Sequence, residues 1–254
     1  VLLAWLSIAV SSSTLVSGQT VVGDSFESGA FSTSWNSTAS TSILSTGGAA
    51  GSTRFAQLAA NTTSRLAARF DAVQTAGAAN FTIEADVRMQ SSTTRQFQFQ
   101  VSTSTAAVAT NAPAINLRYQ SGAWAAYDGT VWQPLTGLNT ITPGAWYRMR
   151  LTGRDWPTSS ARYDLEISSA GGTSYTSAVS GIRVFHNSGS NALAQNARYF
   201  VFTTEFDTNP GFSVDNVNAV IGAPHTAPPT PLDLTGITTT TQSGSTDSAE
   251  AIDN

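Results

Sequence analysis

The stretch "NFTIEADVRMQ", residues 80–90, sets Glu84, Asp86 and Arg88 on one side of an alternating segment. Two carboxylates two residues apart on a strand share a face, and such a pair is raw material for general acid and base chemistry. Arg88 beside them offsets their charge. A second set is neutral and planar. Gln96, Gln98 and Gln100 alternate through "RQFQFQVST", and Asn116, Arg118 and Gln120 alternate through "AINLRYQSG". Rows of amides with a guanidinium group suit forked hydrogen bonds to vicinal hydroxyls, and Trp or Tyr rings at a rim stack on apolar ligand faces. A third set is Asp24 and Glu27 near the start and Asp215 in "PGFSVDNVNAV". There Phe212, Val214 and Asn216 alternate with Ser213, Asp215 and Val217, and the acid could serve solubility, a metal or catalysis. The histidines offer little: His186 has no Ser or Asp companion at motif spacing, and His225 lies in "APHTAPPTP". A Ser-His-Asp triad has no readable spacing in a chain so rich in serine.

These residues need strands to hold them. In residues 80–90, Phe81, Ile83, Ala85, Val87 and Met89 form the apolar row, a period of two expected of a half-buried strand. "RQFQFQVST", "AINLRYQSG", "AWAAYDG", "AWYRMRLTG", "ARYDLEISS" and "ARYFVFTTEF" continue the pattern, with turn signals at Ser121-Gly122 and Asp128-Gly129. Only "RFAQLAANTTSRLAARF", residues 54–70, has helical spacing. Many short strands around one core predict an all-β, antiparallel two-sheet sandwich. With the apolar rows between the sheets, all nine polar residues of the first two sets fall on outward faces. They are candidate carbohydrate contacts, or simply the polar cover that a solvated sheet needs.

Composition narrows the partners. The 254 residues are 41% hydrophobic and 11% charged, enough for one large core and one main domain. The net charge is -4 and all 12 cations are scattered arginines, which predicts neither a nucleic-acid partner nor a polybasic membrane patch. Zero cysteines remove disulfides and thiol chemistry. Residues 1–18, apolar and ending in small residues, read as the remnant of a secretory signal peptide. A secreted chain without disulfides, most naturally bacterial, is then expected, with no membrane insertion once the signal is removed.

Four segments together carry a resemblance: "GDSFESGAFSTSW" (residues 23–35), "NFTIEADVRM", "WYRMRLTG" and "FSVDNVNAV". Over residues 19–222 the chain resembles the concanavalin A-like or laminin-G-like jelly rolls of secreted bacterial proteins. In that superfamily an initial Phe-Glu-x-Gly…Trp segment pairs with a final Asp-Asn-Val strand. The resemblance implies a jelly roll whose first and last strands lie side by side, bringing Asp24 or Glu27 near Asp215. It also implies one structural Ca²⁺ at that seam, a hard cation suited to carboxylate and carbonyl oxygens. Asp215 could equally cap a bulge or accept from a turn amide.

Glu84 and Asp86 further resemble the carboxylate row of laminarinase-type glycoside hydrolases, but Met89 stands where a third acid should follow. No catalytic residue is therefore expected in this chain. Residues 223–233 read as a proline-rich linker, and residues 234–254 as a disordered tail or a truncated discoidin-like domain. The latter reading rests on "SAEAIDN", which resembles the start of discoidin-type (factor 5/8 type C) domains. The resulting expectation is a non-catalytic, lectin-like module of a larger polysaccharide-associated protein. A glycoside hydrolase or lyase domain and a structural or adhesion module are the alternatives.

Overall fold

The computed structural model describes residues 19–59, 64–70, 80–90, 97–102, 113–156, 161–172, 174–183, 198–204 and 211–222. The readings of residues 1–18 and 223–254, and those of Gln96 and His186, lie outside these residues.

The described residues form strands and turns without a helix. One sheet runs in the order β13 (Tyr175–Arg183), β12 (Arg162–Ser168), β11 (Trp146–Arg154), β6 (Phe81–Met89), β15 (Phe212–Ile221), β4 (Phe55–Leu58), β3 (Thr41–Leu44), and β1 (Gln19–Asp24) also pairs with β15. The other runs β10 (Trp132–Pro134), β9 (Ala123–Tyr127), β8 (Ile115–Gln120), β7 (Phe97–Ser102), β14 (Tyr199–Thr203), β5 (Arg65–Arg69), β2 (Trp35–Ser37). The strand pairs are antiparallel, and the chain changes sheet from β1 to β2, β2 to β3, β4 to β5, β5 to β6, β6 to β7, β10 to β11, β13 to β14 and β14 to β15. This is the expected two-sheet jelly-roll sandwich.

The helical spacing of residues 54–70 is overturned. Phe55–Leu58 pairs with β15 in one sheet and Arg65–Arg69 pairs with β14 in the other. The alanine-rich composition favours helix locally, but each half buries more by completing a sheet, and tertiary pairing overrides so weak a propensity.

Aromatic rings knit the layers together. Phe97 of β7 lies 5.0 Å from Phe212 of β15, and Phe70, just past β5, lies 5.2 Å from Phe81 of β6, both edge to face. All four are buried, each contributing roughly 2–3 kcal/mol by leaving water. Gly153 of β11 faces Phe81 across the ladder, and a Cβ there would sit 2.2 Å from the Phe81 ring and 2.7 Å from Trp156 Nε1. The bare backbone makes room for the Phe81–Trp156 contact, with centroids 5.2 Å apart.

β15 corrects one detail of the sequence reading. Its register against β6 shifts between Asp215 and Asn218, and Asn216 has a positive φ of 46°. The shift is a β-bulge, which reverses the parity of the strand. Phe212 and Val214 face the core before it, and Val217, Ala219 and Ile221 face the core after it. Val217 is thus buried where simple alternation put it outside, and Asn216 is turned out.

Candidate functional site

The eight candidate contacts among the described residues do not form one face. Glu84, Asp86 and Arg88 lie on β6, on the outer face of the eight-stranded sheet. Gln98 and Gln100 on β7 and Asn116, Arg118 and Gln120 on β8 lie on the outer face of the seven-stranded sheet, across the sandwich. The core stands between the two groups, so no single ligand surface joins them.

On the eight-stranded sheet the acids are closed into ion pairs. Asp86 is 6% exposed and takes a two-pronged contact from Arg148, Nε to Oδ1 at 3.0 Å and Nη2 to Oδ2 at 3.1 Å. The Asn216 amide, aimed by the bulge, also donates to Asp86 Oδ2 at 2.8 Å. Glu84 accepts from the Tyr175 hydroxyl at 2.8 Å and lies 3.9 Å from Arg150, which in turn grips Glu166 with two nitrogens. Burial first, and then the Glu84 charge, push the Tyr175 hydroxyl well above the usual tyrosine range, so it stays a proton donor. Arg88 lies in the corner made by the edge-to-face rings of Phe55 and Trp146, 4.5 and 4.6 Å from their centroids, and donates to the Gly47 carbonyl at 3.0 Å. These residues fasten strands to one another.

Asp24, Glu27 and Asp215 flank the seam between the first and last strands, which do lie side by side with Asp24 opposite Val217. Each acid holds something different. Asp24 accepts from the Phe26 amide at 2.7 Å and from Trp35 Nε1 at 2.8 Å. Glu27 accepts from the amides of Thr53 and Arg54 and from the hydroxyls of Ser52 and Thr53, all within 2.8 Å, and these bonds, led by Ser52, hold its carboxyl down to about 2. Asp215 is fully buried and accepts from the Ala49 and Asn216 amides at 2.9 and 2.8 Å. Burial outweighs those bonds and pushes its carboxyl above the usual range. The three carboxylates are spent on local donors rather than converging on one point. Among the described residues, no group of three or more histidines or acids is placed to hold a metal ion.

The seven-stranded sheet carries a different arrangement. Gln98, Gln100 and Asn116 are 4%, 0% and 1% exposed, so the solvated row expected of them is a closed polar cluster. Alternation fixed which side of the sheet they occupy, but β7 and β8 are interior strands, and their neighbours Ala67, Val201 and Thr203 on the same side are buried too. Asn116 Oδ1 accepts from Gln98 Nε2 at 2.8 Å and from Gln100 Nε2 at 3.5 Å. Its own Nδ2 is buried without a hydrogen-bond partner among the described residues, a donor with no acceptor.

Beside this cluster Arg118 lies with its guanidinium carbon 4.0 Å from the centroid of Trp132, and Tyr127 lies 5.4 Å from the same ring. Both rings are half-buried, on the outermost hairpin of the sheet. Asp128 in the turn between them accepts from the Thr130 and Val131 amides and the Gln133 side chain, which holds that hairpin in shape. Gln120, at the end of β8, is half-buried.

Trp132 and Tyr127 were not singled out from sequence. Their signal was the Asp128-Gly129 turn with an aromatic residue on either side, which in a hairpin must bring the two rings together. Arg148 was missed because its partner Asp86 is 62 residues away and is met only through the register of β6 against β11.

No family model matches the chain, and no curated protein matches it. In structure it is similar to the carbohydrate esterase vb_24B_21 of the Shiga toxin-encoding bacteriophage phi24B, with a TM-score of 0.51 and 12% identity, over 81% of this chain and 99% of that one. It is also similar to a variant of the GH43 protein BlXynB from Bacillus licheniformis, with a TM-score of 0.51 and 10% identity, over 78% of this chain and 39% of that one. At such identities the likeness is one of fold.

Proposed function

We propose that this chain is a secreted, non-catalytic carbohydrate-binding module of a larger polysaccharide-associated protein. The observation that carries the reading is the edge of the seven-stranded sheet, where the half-buried rings of Trp132 and Tyr127 lie 5.4 Å apart and the Arg118 guanidinium carbon lies 4.0 Å from the Trp132 centroid. Amides and guanidinium groups fork onto adjacent hydroxyls, and half-exposed rings offer an apolar plane to the face of a sugar. The fold is also that of a phage carbohydrate esterase, which makes a glycan partner a natural choice for the same architecture. The apolar residues 1–18, ending in small residues, support export.

The hydrolase reading would need two accessible carboxylates. Asp86 and Asp215 face each other in register, and Asp215 is raised, but one is held by Arg148 and the other is fully buried beneath the Ala49 amide. Neither can reach a substrate as placed. Affinity electrophoresis on a panel of neutral and acidic polysaccharides tests the binding reading, comparing wild type with Trp132→Ala and Gln98→Ala. Retardation by at least one polymer, reduced in Trp132→Ala, is the expected result. No retardation by any polymer, or new reducing ends on incubation, would sink it.

A further inference from the structure

We infer that the ring pair on the β9–β10 hairpin takes a polysaccharide whose successive sugars turn about the chain axis, rather than one that lies as a flat ribbon. This rests on the binding reading above and specifies the shape class of its ligand.

The first ground is how the two rings stand. Tyr127 and Trp132 are directly opposite in the ladder of β9 and β10, so both side chains leave the same side of the sheet. Their centroids are 5.4 Å apart and their planes are inclined by 56°. That separation is close to the step from one sugar to the next along a glycan, so the two rings address neighbouring sugars. A sugar stacks with its C–H face parallel to an aromatic plane. In a flat ribbon such as cellulose or mannan, neighbouring sugars present parallel faces, and only one of two inclined rings is met. A chain that turns at each sugar, such as amylose or curdlan, presents inclined faces and meets both.

The second ground is that the inclination is held in place. Asp128 accepts from the Thr130 and Val131 amides at 2.8 and 2.9 Å and from Gln133 Nε2 at 2.7 Å, while its own amide donates to the Val131 carbonyl at 3.1 Å. These bonds fix the turn between the two ring-bearing strands. Arg118, 4.0 Å from the Trp132 centroid, restrains the indole from the neighbouring strand β8. Flattening the pair would break these contacts, so the edge is preorganised for inclined faces. The other outward residues of β9 are Ala123 and Ala125, which alternate with the buried Trp124 and Ala126. A chain reaching the rings therefore meets no large side chain beside them on that strand.

The test is titration calorimetry on the full chain with hexasaccharides of equal length. Maltohexaose, laminarihexaose and xylohexaose turn; cellohexaose, mannohexaose and chitohexaose run flat. The expected result is that at least one of the first three binds at least about tenfold more tightly than each of the others. Trp132→Ala should weaken that binding about tenfold or more and Tyr127→Ala several-fold, because both rings are met. Asp128→Ala, which frees the turn, should narrow the preference for turning chains, and Asp128→Asn, which keeps an acceptor at Oδ1, should restore it. Denaturant unfolding of each variant checks that the fold is intact. If a flat hexasaccharide binds as tightly as the best turning one, or if Tyr127→Ala has no effect, the shape assignment falls and the carbohydrate-binding reading stands. The same holds if none of the six binds while a polysaccharide still retards the protein in electrophoresis. If no polysaccharide retards it either, both fall.

Discussion

The two outer faces of this sandwich start from the same sequence pattern and end in opposite chemistry. β6 and β7 both alternate apolar with polar residues, yet the polar row of β6 carries Glu84, Asp86 and Arg88, while that of β7 carries Gln98 and Gln100. Across the eight-stranded sheet acids meet arginines on neighbouring strands: Asp86 with Arg148 and Glu166 with Arg150 directly opposite, and Asp164 with Arg154 on the diagonal. Ion pairs fasten the strands of that face to one another. The seven-stranded face has amides, arginines and an aromatic hairpin edge but no acid in its strands. Its amides Gln98, Gln100 and Asn116 are buried and bond to one another. Ion pairs therefore close one face and amide-to-amide bonds the other, a distinction that polarity alone does not make.

The sharpest way to break that division is to remove a cation from the balanced face. Arg148→Ala leaves Asp86 buried with only the Asn216 amide. Because Arg148 is partly open to water, the expected loss is about 2–3 kcal/mol, at the lower end for a broken buried pair. Denaturant unfolding measures it, and polysaccharide binding should be unchanged. Replacing both partners with leucine should cost much less, since no charge is then stranded. Next in size is Arg88→Ala, which uncovers the corner made by Phe55 and Trp146 and leaves the Gly47 carbonyl to Trp146 Nε1 alone. It should cost about 1–2 kcal/mol, again without effect on binding. A loss of binding in either variant would erase the division between the faces.

The sequence announced the strands because a buried row at every second residue leaves little else for "NFTIEADVRM" or "FQFQVS" to be. The antiparallel sandwich and the pairing of first and last strands followed from this pattern and from the resemblance. What stayed hidden depended on register. The bulge at Asp215 inserts a residue into β15, and a window of alternation cannot show where parity changes. Gln98 and Gln100 look solvent-facing because alternation reports sides, not cover. The pairing of Asp86 with Arg148 needs β6 and β11 aligned residue by residue. Helical spacing in residues 54–70 misled because alanine is at home in both structures, and the sheets on either side settled the matter.

At the aromatic edge of the seven-stranded sheet the effects on stability should be smaller and those on binding larger. Trp132 is half-buried on an edge strand of three residues, so Trp132→Ala should change unfolding stability by no more than about 1 kcal/mol. The same change removes the platform under Arg118 and should weaken polysaccharide binding about tenfold or more. Calorimetry and denaturant unfolding on one preparation give both numbers. Equal losses in both would mean that the ring serves the fold.

The smallest effect is in pH, and it separates the faces without a ligand. Asp215 and Glu27 both hold the segment 49–54, but their shifts have opposite sign. Asp215 is raised by burial, so the folded state takes up its proton before the unfolded chain does. Stability should therefore rise slightly as pH falls through the folded value toward the unfolded value near 3.8. Glu27 is lowered from 4.5 to about 2 by its hydrogen bonds, so its contribution is present above 4.5 and drains away as pH falls toward 2. Thermal unfolding across this range should show a shallow rise followed by a fall. Asp215→Asn should remove the rise and leave the fall, and Glu27→Gln should do the reverse; a rise that survives Asp215→Asn must come from another acid. Asp215 lies on β15 and Glu27 in the loop after β1, both of the eight-stranded sheet, so the rise and the fall both report on that side of the sandwich.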